Sequence, residues 1–214
     1  MSIHTVLFDL DGTLIDTNEL IIASFQHTFE RYGQSFSRDE IIAFNGPPLT
    51  ETFKRIDPER AEEMIATYRE HNVLNHDQYV TAFPHVKKTL RRLQAEKIPL
   101  GIVTTKLRKM VDRGLKATGL DGFFKTIITL DDVEHTKPDP EPVLKAISAL
   151  DADPPTTLMI GDNYHDIEAG RRAGVQTAGV AWSLKGEDVL RTYEPTYMLQ
   201  DMADLLDIVG LNVS

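Results

Sequence analysis

Asp9 and Asp11 stand one residue apart in "VLFDLDGTLID" (6–16), directly behind an apolar run. Two carboxylates that close raise each other's cost of ionisation, so one can stay charged while its neighbour keeps a proton. The charged one is then a nucleophile or metal ligand, and the protonated one a general acid. A structural turn needs one Asp and a Gly, not the pair. Gly12 permits a tight turn that brings backbone amides toward an anion. Further along, "VTTK" supplies Thr104, Thr105 and Lys106, "TKPDPEP" supplies Lys137, and "GDNYHD" supplies Asp162 and Asp166. Carboxylate oxygens suit a hard cation such as Mg2+, which binds through one or two carboxylates, waters and substrate phosphate. A lysine and a hydroxyl would hold the remaining oxygens of a phosphoryl group. Cation and lysine together would offset repulsion between an anionic nucleophile and an anionic phosphate.

These residues need elements that bring distant segments to one place. Short apolar runs at 5–9, 100–104, 126–129, 157–161 and 178–182 read as buried strands, with helical patterns between them. Pro84 begins one helix, with Val86, Leu90 and Leu93 at helical spacing. Asp139-Pro140 begins another, with Val143, Leu144, Ile147 and Leu150 expected on its inner side. A third starts near Asp166 and stops at Gly174. Strands alternating with helices predict a doubly wound, Rossmann-like parallel α/β sheet. Sites in such sheets form beyond the carboxyl ends of the strands, where every residue named above falls.

About 90 residues separate the first two strands, where a simple crossover needs about a dozen. The insert has its own apolar positions, Ile21, Phe25 and Phe29, then a stop at Gly33. Ser37 and Glu40 are spaced as a capping box, and Asp57-Pro58 is expected to open a helix carrying Met64, Ile65 and Tyr68. The reading is a core of residues 1–16 and 81–214 with a helical cap, 17–80, inserted after strand 1. A cap over the paired aspartates would exclude water. Hinges are expected at Ile15–Thr17 and Val80–Phe83.

The 214 residues are 41% hydrophobic, with 33 acidic and 23 basic side chains and a formal net charge of -10. That balance argues against nucleic acid as a partner, since phosphate backbones need a basic footprint. A small phosphorylated substrate answers to local charge instead. The lack of cysteine rules out disulfides, thiolate metal sites and cysteine nucleophiles. No run is long and apolar enough to span a membrane, and no signal segment is seen, so the expectation is a cytoplasmic protein. Oligomeric state is open.

The four motifs "DLDGT", "VTT", "KPDP" and "GDNYHD" resemble those of the haloacid dehalogenase-like phosphohydrolases, over nearly the whole chain. That resemblance implies Asp9 as nucleophile, through an aspartyl-phosphate, and Asp11 as general acid and then base. It implies Thr104, Thr105, Gly12 and Lys137 around the phosphoryl group. It implies Mg2+ held by Asp9, Asp162 and the Asp11 backbone carbonyl, with Asp166 supporting the ligands from behind. Aspartate at position 11 points to phosphatases and phosphomutases, because the dehalogenases lack it and the transport ATPases carry lysine there. "NELIIASFQHTFE", "GPPLTETF", "VTTKLR" and "TLDDVEHTKPDPEP" further resemble the family's bacterial inorganic pyrophosphatases, linked to dephosphorylation of the serine-phosphorylated phosphocarrier HPr. Pyrophosphate is therefore the favoured substrate, with phosphoglycolate or another small phosphomonoester as the alternative and a mutase behind them. A non-catalytic module with the same fold would bind Mg2+ and phosphate without releasing product.

The other neighbours read more plainly. Asn45 and Gly46, in a Gly-Pro-Pro turn, are either a simple turn or the cap's substrate loop. Thr13, Lys106 and Asn163 flank the motifs without an assigned task. His135 and His165 read as bystanders, and Trp182, Phe25 and Phe29 as core.

Overall fold

The computed structural model describes residues 2–211. In chain order, β1 (Thr5–Phe8) and β2 (Ile15–Asp16) precede four helices: α1 (Asn18–Arg31), α2 (Arg38–Phe44), α3 (Leu49–Ile56) and α4 (Ala61–Tyr79). Then come β3 (Thr81–Ala82), α5 (Val86–Ala95), β4 (Leu100–Val103), α6 (Arg108–Thr118), β5 (Thr126–Ile128) and α7 (Glu141–Leu150). The chain closes with β6 (Thr157–Gly161), α8 (Tyr164–Arg172), β7 (Gln176–Val180), α9 (Glu187–Arg191), β8 (Tyr197–Leu199) and α10 (Asp204–Ile208). Two compact units result, Met1–Ile15 with Thr81–Ser214, and Asp16–Val80.

The first unit is built on a six-stranded sheet of order β5-β4-β1-β6-β7-β8, with every pairing parallel. Phe8 lies opposite Ile102 on one side and Ile160 on the other, which fixes β1 at the centre. The chain runs outward from β1 to β5, then returns to β6 on β1's other flank. That reversal is the switch point at which parallel sheets carry their sites. Val6, Leu7, Phe8, Ile102 and Ile160 are all buried, so both sheet faces are covered. On one face Leu7 and Met159 pack with Val143, Ala146 and Ile147 of α7 and Ala169 of α8.

Several boundaries differ from the sequence reading. The strand expected at 178–182 runs from Gln176 to Val180, because the chain turns at Ser183, whose amide bonds back to Val180 O. A sixth sheet strand, β8, lies outside the sequence reading: unlike the equally short β5 with its two isoleucines, Tyr197–Leu199 contains no β-branched residue. The α5 helix begins at Val86 rather than Pro84, behind a left-handed His85. The α7 helix begins at Glu141, whose N–H goes to Asp139 Oδ1 at 2.9 Å. Leu144, expected inside, is 46% exposed, because α7 turns Val143 and Ile147 inward instead. The α8 helix begins at Tyr164, two residues earlier than expected, capped by Asn163.

The inserted unit has an aromatic core. Phe25 packs on Tyr68 at 4.8 Å between ring centroids, on Phe53 at 5.6 Å and on Phe29 at 5.7 Å. The Ser37–Glu40 capping box forms as spaced. Asp57-Pro58 does not start a helix: α4 opens at Ala61, and Asp57 instead accepts from the Arg60 amide and guanidinium. Ile21 is only half-buried, and Ile22 fills the interior in its place.

Candidate active site

Asp9 follows β1 directly, and its N–H still bonds to Ile160 O at 2.8 Å. The chain then folds back on itself. Leu10 O accepts from the amides of Leu14 at 2.9 Å and Ile15 at 3.0 Å, and Gly12 takes φ +80°. This turn leaves Asp11 half-buried, with its Oδ1 accepting from Lys106 Nζ at 2.6 Å. A Cβ built on Gly12 would lie 2.7 Å from Asp162 Cγ, and closer still to Oδ2. The missing side chain therefore leaves room for the Asp162 carboxylate beside the turn.

Lys137 crosses beneath these groups. Its Nζ donates to Asp9 Oδ1 at 2.7 Å, to Asp166 Oδ1 at 2.5 Å and to Val103 O at 2.8 Å. All three donors of the ammonium are used. Asp166 also caps α8, its Oδ2 accepting from the Asn163 amide at 3.0 Å. Gly161, at the end of β6, lets that carboxylate sit against the strand. Thr104 is buried and its Oγ1 accepts from the Lys106 amide at 3.2 Å, while Thr105 is half-buried. Thr13 is fully buried without a partner for its hydroxyl. Asn45 and Gly46 belong to the inserted unit, just after α2.

Asp9, Asp162 and Asp166 each offer a carboxylate oxygen, all within 4.8 Å of one another. Burial pushes Asp9 up to about 7, with Lys137 pulling the other way and Asp166 adding to the rise. Burial, then Asp9 and Asp166, push Asp162 well above the usual carboxylate range. Burial opposes the charge of Lys137, but Asp166 and Asp9 outweigh it and its affinity for the proton goes up. Three buried carboxylates against one fully engaged ammonium make a site short of positive charge. An all-oxygen donor set in that condition fits a hard divalent cation, which Asp9 and Asp162 would hold.

The structure adds a role for one residue of the sequence reading and brings in two that it leaves out. Lys106, a flanking neighbour of "VTT" in the sequence, is a direct partner of Asp11. Lys185 and Ser183 were not singled out, although "SLKG" stands at the carboxyl end of a strand, which was the available signal. Ser183 Oγ donates to Asp162 O at 2.6 Å and accepts from the Lys185 amide at 3.3 Å. Burial pushes Lys185 down, opposed by the fields of Asp162 and Asp166. His165 is buried, bonded to Asn163 Oδ1 at 2.8 Å and pushed down to about 4 by burial. His135 is exposed beside Glu141, and Trp182 packs on Phe83.

A parallel sheet whose strand ends converge two aspartates, a lysine and two further aspartates is the framework of a haloacid dehalogenase-type hydrolase. The model of the haloacid dehalogenase-like hydrolases matches residues 6–180, and the chain belongs to that family. Pyrophosphatase PpaX of Oceanobacillus iheyensis is 59% identical over 210 residues, covering 98% of each chain. Pyrophosphatase PpaX of Anoxybacillus flavithermus is 56% identical over 212 residues, covering 99% of each. Among solved structures, a haloacid dehalogenase-like family hydrolase from Streptococcus pneumoniae superposes with a TM-score of 0.86 at 26% identity, covering 96% of this chain and 97% of that one. No helix among the described residues is long and apolar enough to cross a membrane.

Proposed function

We propose that this protein hydrolyses inorganic pyrophosphate to two phosphates, with Mg2+, in the bacterial cytoplasm. The observation that carries the substrate is the near end-to-end match, at 59% and 56% identity, to relatives named as pyrophosphatases. The carboxylate-lysine cluster supports the chemistry.

Asp9 attacks one phosphorus through a carboxylate oxygen, and the bond from that phosphorus to the bridging oxygen breaks. The departing phosphate takes a proton from Asp11. Asp11, now a carboxylate, takes a proton from water, whose oxygen attacks the phosphorus of the aspartyl-phosphate. Asp9 is released as a carboxylate with the second phosphate, and Asp11 is protonated again. Lys137 fixes Asp9 against Asp166 and adds positive charge beside the phosphoryl oxygens. Thr104, Thr105 and the turn at Gly12 line the phosphoryl group, and Lys106 orients Asp11. Asp9, Asp162 and the Asp11 carbonyl would hold Mg2+, which would supply neutralising charge between nucleophile and phosphate. Asp166 supports this from behind by gripping Lys137.

Phosphate release with Mg2+, from pyrophosphate and from phosphoglycolate side by side, tests the proposal, with Asp9→Asn as the blank. Release from pyrophosphate that Asp9→Asn abolishes is expected. Preference for phosphoglycolate would overturn the substrate, and undiminished release by Asp9→Asn would overturn the mechanism.

A further inference from the structure

Lys185 has no task in the reaction as drawn. It stands in the loop after β7, and that loop is tied to the Asp162 backbone through Ser183. Lys185 is half-buried and lies in the electrostatic reach of Asp162 and Asp166, yet forms an ion pair with neither among the described residues. The other two lysines of this edge are committed, Lys137 to Asp9 and Asp166, and Lys106 to Asp11. Lys185 is thus a half-buried ammonium on a loop bonded to the backbone of Asp162, a carboxylate that would ligate a cation, and it does not neutralise that carboxylate by contact.

Such a placement has two consequences of opposite sign. A positive charge near Asp162 repels a divalent cation bound there. The same charge attracts any anionic group that the substrate carries beyond its transferring phosphoryl group. In a partly buried setting both effects exceed their size in water. A phosphomonoester with an uncharged remainder gains little from it, and a substrate with a second anionic group gains most.

We propose that Lys185 is a specificity-determining residue for substrates carrying a second anionic group, which it favours while weakening divalent-cation binding at Asp162. The proposal rests on the pyrophosphate reading for its natural substrate, where the second group is the leaving phosphate. It acts through its field, so charge matters and exact shape does not.

The test uses the full chain with Lys185→Met, Lys185→Gln and the charge-preserving Lys185→Arg. Calorimetric titration with Mg2+ alone is compared with steady-state rates on pyrophosphate and p-nitrophenyl phosphate. For Lys185→Met and Lys185→Gln, Mg2+ binding is expected to tighten about threefold or more, and KM for pyrophosphate to rise about tenfold. KM for p-nitrophenyl phosphate should change less than about twofold, and Lys185→Arg should restore wild-type values. A purely structural role would move both substrates together and would weaken Mg2+ binding; either result overturns the proposal. If the wild-type chain released no phosphate from pyrophosphate, the functional reading would fail by itself. The Mg2+ titration would then decide on Lys185, with tighter binding in the neutral variants supporting its role and unchanged binding overturning it.

Discussion

Mg2+ should stabilise this protein far more at mildly alkaline than at mildly acidic pH. Burial lifts Asp9 from 3.8 to about 7, and burial with Asp9 and Asp166 lifts Asp162 as well. Folded Asp9 therefore holds a proton that the unfolded chain has lost. The stability this contributes is complete below about 3.8 and disappears as pH rises through about 7. A cation on Asp9 must displace that proton below about pH 7 and need not do so above it. One displaced proton weakens apparent Mg2+ affinity about tenfold per pH unit, or about 1.4 kcal/mol. Between about pH 5 and 7 the proton on Asp9 alone should thus make the Mg2+-dependent stabilisation grow by about 3 kcal/mol, and displacement of a proton from Asp162 adds to that growth. For a chain of this size each kcal/mol moves the melting temperature by about 2–4 °C. His165 acts in the opposite sense, since burial depresses it to about 4 and its contribution grows as pH rises toward 6.5. Taking the difference between metal-loaded and metal-free protein removes the part of its contribution common to both. The assay is scanning calorimetry in chelator and in saturating Mg2+ across that range, with proton release measured by titration in buffers of different ionisation enthalpy. A Mg2+-induced shift independent of pH, or metal uptake without proton release at about pH 6, would refute the reasoning.

Gly12→Ala should weaken Mg2+ binding about tenfold or more and destabilise the fold by about 1–2 kcal/mol, from the positive φ and the crowding of Asp162. Gly33→Ala is the control, having φ +71° but nothing within 4 Å of the added carbon, so it should lower the melting temperature and leave Mg2+ titration unchanged. Asp11→Asn should slow single-turnover phosphorylation less with pyrophosphate than with an alkyl phosphate, because phosphate is the more acidic leaving group. Equal losses would contradict the assignment of Asp11 as acid.

Much of this architecture was legible because it is local. Strand ends, the Ser37–Glu40 capping box and the helix stop at Gly33 are written in residues a few positions apart. The insert was visible as a length that no simple crossover explains. Where a local signal competed with packing, the reading slipped. Asp57-Pro58 has helix-opening chemistry, yet Asp57 is bonded to Arg60 and the helix waits for Ala61. Leu144 keeps helical spacing, but a helical period of about 3.6 residues leaves the edge of the apolar face undecided by a full position.

By itself the sequence determined the kinds of group available and their order: carboxylates, a threonine pair and lysines behind apolar runs, with no cysteine to offer other chemistry. The tertiary structure decided which group meets which. Lys137 bridges Asp9 and Asp166, 128 and 29 residues away, and Lys106 reaches Asp11 across 95. Lys185 joins the electrostatics of the edge only because β7 lies beside β6. Pairings of that range depend on strand order and register, which no spacing along the chain records. The same holds for the upward shift of Asp9 and Asp162, since desolvation depends on everything packed around a carboxylate.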